Sequence, residues 1–571
     1  MYYLESLKKE LAEVCNKLIG EAVISFDDFI QPPDKNMGDL CLPCFKAAKE
    51  AKTSPAALAN VLAKDFSHKK VESVSAAGPY LNLILTPDFN VEVIKEITEK
   101  YESYGQQTWG NNQRVMQEYA NGNTHKEIHI GHIRNIAYGD AVNRLLKANG
   151  FVSLPVMYIN DFGIHVAKTL WYYLKTKPSV PDGHKGEFLG QLYAASVKAM
   201  DEGDKEKNKQ EVGEVMKSLE SREGEIYELW QTTRQWSLEQ WQEVVKDFKL
   251  DFSDNFYESD FVQEGFKLVD EMLTKGILKK SQGAVIADLE DYKLGVLVVL
   301  RSDGTALYPV ADLALTIHKV KKHKLDTSLW IVDIRQSQYF FQLFKVLELY
   351  GLKAELKHLP YDFVKLPSGM MSSRSGNIIA YEDLKKLLTE EAKKETSKRH
   401  PEWSEEKVNE VVRVLVFGAL KFEMLKVGGE KGITFDLAKS LRFDGFTAAY
   451  LQYTCARINS LWRKGETILK KDLKPDYESL TKDKEKSLML AAAIYPEIVK
   501  RAGERYEPSE IAKYLYETAQ LFNDYYHAVS ILNDDEVSEE AIVARLALAK
   551  TIALVIQKGL DLLGIETVEE M

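Results

Sequence analysis

Two histidines three residues apart, in His129-Ile130-Gly131-His132, stand where a β-prone run, Arg114 to Ala120, gives way through a polar turn to a helix. At that spacing both imidazoles fall on one face of a helix's first turn. The free N–H groups and partial positive charge of a helix N-terminus suit phosphate. Gly131 leaves room for an adenine ring or a ribose to approach the backbone. Such a group of donors can steady the negative charge that builds on an α-phosphate during adenylyl transfer. Asn123 and Lys126, in the turn itself, add an amide and a cation at a strand end, where open α/β sheets bind ligands. The competing reading is a pair of partly buried histidines that cap a helix.

Three further groups have side chains suited to chemistry. The small-residue loop Leu366-Pro367-Ser368-Gly369-Met370-Met371-Ser372-Ser373-Arg374-Ser375-Gly376-Asn377 follows a strand. Its hydroxyls, its backbone N–H groups and Arg374 could clamp a triphosphate, with Gly369 and Gly376 letting it open and close; taken alone it also reads as a linker. Tyr308 and Asp312 lie four apart at a helix entry, and Glu118 ends the strand before the first motif. Two carboxylates converging there would form an anionic pocket for a guanidinium or an ammonium group, although Asp312 equally suits a helix start. Tyr80 and Asn82 share one face of a strand and could stack on a base and read its edge, or simply occupy a strand start and a sheet rim.

The elements that must hold these groups can be read coarsely. A chain of 571 residues is long enough for about three domains. Residues 1–108 form a small α/β unit, with a helix over Tyr3–Ile19, a helical stretch from Pro43 to Phe66, and strands at Val71–Val74 and Tyr80–Leu85. Residues 109–440 alternate strand and helix. The helix after His132 stops at Lys147-Ala148-Asn149-Gly150, and a strand from Val152 to Met157 completes a βαβ unit. A charged helical insertion covers about 166–250. Strands follow at Gly283–Asp288 and Gly295–Arg301, with a Ser302-Asp303-Gly304 hairpin turn and a return over Ala306–Val310. Leu329–Ile334 and Glu355–Leu359 then complete a mostly parallel sheet. Residues 441–571 carry only helical patterns, at 441–465, 483–501, 508–528 and 538–563, as in a bundle.

Composition narrows the function classes. Hydrophobic content of 45% with 28% charge is ordinary for a soluble globular protein. No apolar run approaches membrane length, and Met1 to Ser6 lacks a signal-peptide pattern, so a cytoplasmic protein with no membrane partner is expected. Cys41-Leu42-Pro43-Cys44 has the spacing of metal ligands, but no second pair follows; it reads instead as an apolar helix start, and no protein metal site is expected. A net charge of −11 means that any surface for nucleic acid must be local.

Together the motifs resemble those of a class I aminoacyl-tRNA synthetase, and closely its arginyl branch, over essentially the whole chain. His129-Ile130-Gly131-His132 matches the His-x-Gly-His motif, and Met370-Met371-Ser372-Ser373-Arg374 takes the place of the Lys-Met-Ser-Lys-Ser loop. Lys126-x-x-His129-x-Gly131-His132-x-Arg134, Tyr158-x-Asn160-Asp161-x-Gly163 and Phe252-x-Asp254-x-x-x-Glu258-Ser259 are arginyl-like landmarks. The resemblance implies an α/β fold: a Rossmann-like parallel-sheet catalytic domain at 109–440, a small tRNA-binding α/β domain at 1–108 and a helical anticodon-binding bundle at 441–571. It implies activation of L-arginine by Mg-ATP and transfer to the terminal adenosine of tRNA(Arg), carried out by a monomer. His129, His132 and Lys126 would act on the phosphates; Gly131, Met371 and Ser372 would bind ATP; Ser372, Ser373 and Arg374 would hold pyrophosphate. Glu118, Tyr308 and Asp312 would hold the guanidinium, Asn123 would orient the α-amino or carboxylate end, and Gln336 would complete the pocket. Tyr80 and Asn82 would meet a D-loop base, which reverses the reading from composition; Tyr453, Tyr526 and Met571 would meet the anticodon loop. The chain departs from the pattern in lacking both loop lysines, in having Asn121-Gly122-Asn123 for Ser-Pro-Asn, and in placing His165 where Gln is common, a change expected to alter the amino-acid pocket. A cysteinyl synthetase is excluded by the absence of cysteines for its zinc pocket. A small nucleotidylyltransferase would leave the last third unexplained, and a catalytically silent tRNA-binding relative is the third possibility.

Overall fold

A computed structural model describes residues 1–32, 34, 37–367, 369–370, 380–533 and 537–571. The first strands are β1 (Leu40–Pro43), β2 (Val71–Ala77) and β3 (Tyr80–Leu85), an antiparallel sheet in the order β1-β3-β2. Helices at Tyr3–Ile19 and Asp88–Glu99 accompany it. The Cys41–Cys44 segment is therefore mostly strand, not a helix start: Leu40, Cys41 and Leu42 are all buried against β3. The helical stretch expected from Pro43 to Phe66 is two helices, Phe45–Glu50 and Pro55–Asp65. Ser54 caps the second and Pro55 occupies its first turn, where a missing N–H costs nothing.

The central sheet is built from β4 (Arg114–Glu118), β5 (Gly122–Asn123), β6 (Val152–Asn160), β7 (Asp254–Tyr257) and, after three strands that lie outside it and are described below, β11 (Thr327–Asp333) and β12 (Glu355–Tyr361). Every pairing in it is parallel, in the order β12-β11-β4-β6-β5 with β7 on the opposite side of β6. Parallel strands are covered on both faces, which is why Thr327-Ser328-Leu329-Trp330-Ile331-Val332 is buried without a break. The chain runs from β4 outward to β6 and β7, then returns to the other side of β4 for β11 and β12. The switch in direction falls between β4 and β11.

The strands β8 (Lys279–Ser281), β9 (Ala284–Leu289) and β10 (Gly295–Leu300) form a separate antiparallel sheet instead of extending the parallel one. Ala306–Val310 is not a return strand. A single bridge joins Leu300 to Ala306, and Pro309 then sits in the first turn of the helix Tyr308–His323.

The insertion comprises helices Ile164–Thr176, Lys185–Met200, Lys205–Ser221 and Glu225–Asp247, packed around a small core that includes Trp171 and Trp230. After β12 the chain is helical earlier than expected, with Tyr381–Arg399 and Glu405–Leu425 leading into the bundle of Ala448–Lys464, Asp483–Arg505, Pro508–Ala528 and Glu539–Leu562. One hydrophobic core runs through the N-terminal unit, the central helices and the bundle. Polar ties join the first unit to the bundle: Lys8 pairs with Glu497 at 2.7 Å, and the Tyr104 hydroxyl donates to the Ala492 carbonyl at 2.9 Å. Among the described residues no helix is long and apolar enough to cross a membrane.

Candidate active site

A cleft of about 980 Å³ opens at the carboxyl ends of β4 and β11, the switch point at which ligands enter open α/β sheets. One side chain bolts its two walls together. Asn135, in the helix Ile130–Ala148, accepts from the Ala120 N–H at 2.5 Å through Oδ1 and donates to the Ile331 carbonyl at 2.6 Å through Nδ2. Ala120 takes a positive φ of 55° there, turning the chain away from the sheet.

At one end of the cleft the two histidines cap the helix and line the cleft as well, so the two readings of the motif are compatible. His129 is the N-cap residue, and its Nδ1 accepts from the Gly131 N–H at 3.1 Å; His132 Nδ1 accepts from the His129 N–H at 3.1 Å. The ring centroids are 4.0 Å apart. With each Nδ1 serving as acceptor, the hydrogen-bond network assigns the proton of each neutral ring to Nε2, which leaves two N–H donors. Burial, then the nearby Lys126 ammonium, pushes the His129 imidazolium down to about 4. Burial and then His129 hold His132 well below the ordinary histidine range. A Cβ at Gly131 would lie 2.9 Å from His129 Cε1, so the room it provides in this structure is taken by the His129 ring, not left for a nucleotide. A Cβ at Gly122 would lie 2.2 Å from the Trp241 indole, whose ring also meets His132 edge-on at 5.6 Å. Lys126 lines the same cleft with Nζ 5.3 Å from the centre of the Tyr193 ring. Burial and then Lys168 lower its pKa, and among the described residues no carboxylate pairs with it.

The second loop begins and ends at this cleft. Phe363 and Val364 line it, and Ala380 forms a bridge with His129 while the Tyr381 N–H donates to the Ile128 carbonyl at 2.9 Å. Met371, Ser372, Ser373 and Arg374 lie outside the described residues.

The other end is acidic. Asp312 accepts from the Tyr339 hydroxyl, and burial raises its carboxyl to about 6. Glu118 is buried; its Oε2 is held by the Lys319 ammonium and its Oε1 accepts from Asn121 Nδ2 at 3.1 Å. Tyr308 stands at the mouth, 59% exposed. Asn123, ending β5, and Gln336, in the turn after β11, complete the lining. All five residues expected to hold arginine thus share one cleft with His129 and His132.

Other participants were not singled out from the sequence. Lys319 lies seven residues beyond Asp312, two helical turns along one face, and that spacing was its available signal. Tyr339 and Asn135 are each one of several polar residues in their helices, and only the fold gives them meaning. The landmarks around Asn160 and Glu258 prove to touch: Asn160 Nδ2 donates to Glu258 Oε2 at 3.1 Å, and Asp161 accepts from the Ser259 N–H and hydroxyl, both at 2.9 Å. Burial pushes Glu258 up to about 8. His165 is buried one layer behind the cleft, its Nε2 3.3 Å from the Asn160 carbonyl, so a change there reaches the cleft through Asn160.

Of the residues expected to meet nucleic acid, Tyr80 packs edge-on against the exposed Phe45 at 5.8 Å. Asn82 does not share its exposure. It lies in the central strand of its sheet, 2% exposed, with no hydrogen-bond partner for Oδ1 among the described residues, so the amide edge expected beside Tyr80 is covered. In the bundle, Tyr453 and Tyr526 flank the Arg457 guanidinium at 4.8 and 4.9 Å. Met571 packs beside Val411, Leu415 and Phe443, and Phe443 meets Tyr453 at 6.2 Å. The three residues gather at one end of the bundle.

Three family models match the chain: the catalytic domain of tRNA synthetases class I (R) over residues 93–436, the DALR anticodon binding domain over 451–571, and the arginyl tRNA synthetase N terminal domain over 5–85. The arginine–tRNA ligase of Bdellovibrio bacteriovorus is 35% identical over 550 residues, 95% of this chain and 94% of that one. The Clostridium acetobutylicum enzyme of the same name is 31% identical, covering 99% and 100%. Among solved structures, Thermus thermophilus arginyl-tRNA synthetase superposes with a TM-score of 0.81 at 25% identity, and the Plasmodium falciparum arginyl-tRNA synthetase with 0.77 at 18%, each covering 100% of both chains. The second likeness concerns the fold alone.

Proposed function

The chain belongs to the arginyl-tRNA synthetases of class I and joins arginine to tRNA using ATP; we propose the following division of labour within its cleft. Arginine's carboxylate attacks the α-phosphate of ATP in line, pyrophosphate leaves, and the activated carbonyl passes to the 2′-hydroxyl of the terminal adenosine of tRNA(Arg). The Nε2–H groups of His129 and His132 meet the charge that develops on the α-phosphate. As neutral donors they are fixed in place beforehand by the helix cap, so no reorganisation is needed as the charge grows. Lys126 supplies the permanent cation, taking over from the absent loop lysines. Gly131 backs the nucleotide through the helix N-terminus; as the family resemblance implies, Met371 and Ser372 would bind ATP, and Ser372, Ser373 and Arg374 would hold the pyrophosphate. Magnesium, the phosphates' usual counter-ion, would enter with the triphosphate and be held mainly by its oxygens.

Glu118, Asp312 and Tyr308 take the guanidinium, Gln336 closes the wall, and Asn123 orients the α-amino or carboxylate end. The observation that carries this assignment is that two carboxylates and two imidazoles from distant parts of the chain line one cleft at the switch point. Residues 1–108 would reach the tRNA elbow through Tyr80, residues 109–440 catalyse, and residues 441–571 would receive the anticodon loop near Tyr453, Tyr526 and Met571. Both ends of the cleft come from one chain, so the site needs no partner subunit, as a monomer requires, and a cytoplasmic setting suits a translation enzyme. The test is arginine-dependent ATP–pyrophosphate exchange with and without tRNA(Arg). Exchange with arginine and not with lysine or glutamine is expected; activation of all three alike would sink the pocket assignment.

A further inference from the structure

Lys319 is buried to the last atom, its side chain 0% exposed against 3% for Glu118. It does not line the cleft. It lies behind the wall, its ammonium on Glu118 Oε2 and 4.7 Å from the centre of the Trp330 ring, and both of those residues do line the cleft. Lysine is almost never fully buried unless paired, and the pair sits where a cationic substrate must be matched. Asp312, on the same helix face, has a tyrosine donor and no contact ion pair among the described residues, and it too feels the Lys319 charge.

We propose that Lys319 is a positioning residue for arginine: by pairing with Glu118 from behind the wall it keeps that carboxylate ionised and fixed, and leaves the slot with one net negative charge. Counting the groups makes the point. Glu118 and Asp312 bring two negative charges and Lys319 one positive charge, so the sum matches a single guanidinium. The other titratable groups around Glu118 do not alter it. Tyr158, Tyr339 and Tyr308 are neutral, and Glu258 holds its proton up to about 8. Without Lys319 two buried carboxylates would face each other with no counter-charge, and one of them would take up a proton.

The inference rests on the assignment of Glu118 and Asp312 to the arginine slot, and four variants separate the two claims. Each is purified as the full chain and assayed by pyrophosphate exchange with tRNA(Arg), reading KM for arginine, KM for ATP and kcat from pH 6 to 9. In Lys319→Met the arginine KM should rise about tenfold or more at pH 7, with kcat and the ATP KM nearly unchanged, and should recover as pH rises. The sign follows from the slot: with the ammonium gone, one of its two buried carboxylates takes up a proton that must leave before arginine binds. Glu118→Gln leaves Lys319 unpaired and the slot neutral, so its arginine KM should rise further. Adding Lys319→Met to Glu118→Gln restores one net charge and should recover about tenfold relative to Glu118→Gln alone, with no alkaline recovery. The double variant leaves no lysine unpaired and keeps Asp312 with its tyrosine donor as in the parent, so its comparison with Glu118→Gln stands even if Lys319→Met does not fold. A double variant no better than Glu118→Gln, or a folded Lys319→Met with the parent's arginine KM and pH profile, would overturn the proposal. Asp312→Asn tests the slot itself: if it leaves the arginine KM unchanged, the assignment of the slot fails, whatever Lys319 does.

Discussion

The two ends of the cleft meet their substrates by opposite means. At the phosphate end two uncharged imidazoles stand beside the Lys126 ammonium: His129 is neutral down to about pH 4, His132 is held well below the ordinary histidine range, and backbone hydrogen bonds at a helix cap fix their tautomers. The arginine end uses ionised carboxylates, one balanced by a buried ammonium and one bonded to a tyrosine. The difference follows from when the charge exists. The additional charge on the α-phosphate builds only as the bond forms, so oriented dipoles fixed beforehand can meet it beside the Lys126 ammonium. A guanidinium is charged before it arrives and must give up its water, so it needs an opposite charge that the protein keeps from being protonated.

The contrast can be broken or sharpened by experiment. His132→Ala should lower kcat for pyrophosphate exchange by about 10²–10³, as loss of a transition-state donor does, while calorimetric arginine affinity stays near the parent's. A matching loss of arginine affinity would mean that the two ends are not separate. Asp312→Asn should do the reverse, weakening arginine by about 10- to 100-fold, the range for hydrogen bonds to charged groups, with ATP binding intact. pH should separate the ends without a mutation. Burial raises Asp312 to about 6, so its charge is present above that value and lost as pH falls through it. The arginine KM should climb by up to about tenfold per pH unit below 6, while the ATP KM shows no histidine titration there; a parallel rise in both would refute the contrast. The smallest effect is expected far from the cleft. Tyr453→Ala should raise the KM for tRNA(Arg) about fivefold through lost stacking and leave the arginine KM unchanged in the same assay.

The same contrast explains what could be read from the sequence. The phosphate end was legible because its groups are local: Asn123, Lys126, His129 and His132 fall within ten residues, and a helix cap has a recognisable pattern. The arginine end comes from β4, the turn after β11 and two separate helices. Glu118, Tyr308 and Asp312 were still found through their position at element ends, but Tyr339 and Asn135 carry no local mark and Lys319 only its two-turn spacing from Asp312. Misreadings of the fold have equally local causes. Cys41 and Leu42 look like a helix start because an apolar run does not declare its period. Ala306–Val310 looks like a strand until Pro309 is placed in a helix's first turn. Asn82 was read by alternation as sharing a face with Tyr80; that face leaves Ile84 exposed, but the Asn82 side chain itself is covered.

The Asn135 carboxamide, bonded at once to Ala120 and to Ile331, sets the width of the gap between the strands from which both walls descend. A gap pinned in this way behaves like a fixed gauge: the sheet cannot spread for a bulkier amino acid or pinch in around a smaller one. Size selection then falls to the rigid frame and opening and closing to segments outside the sheet, so loosening this one amide, as in Asn135→Ala, should blunt discrimination by side-chain length before it slows the reaction.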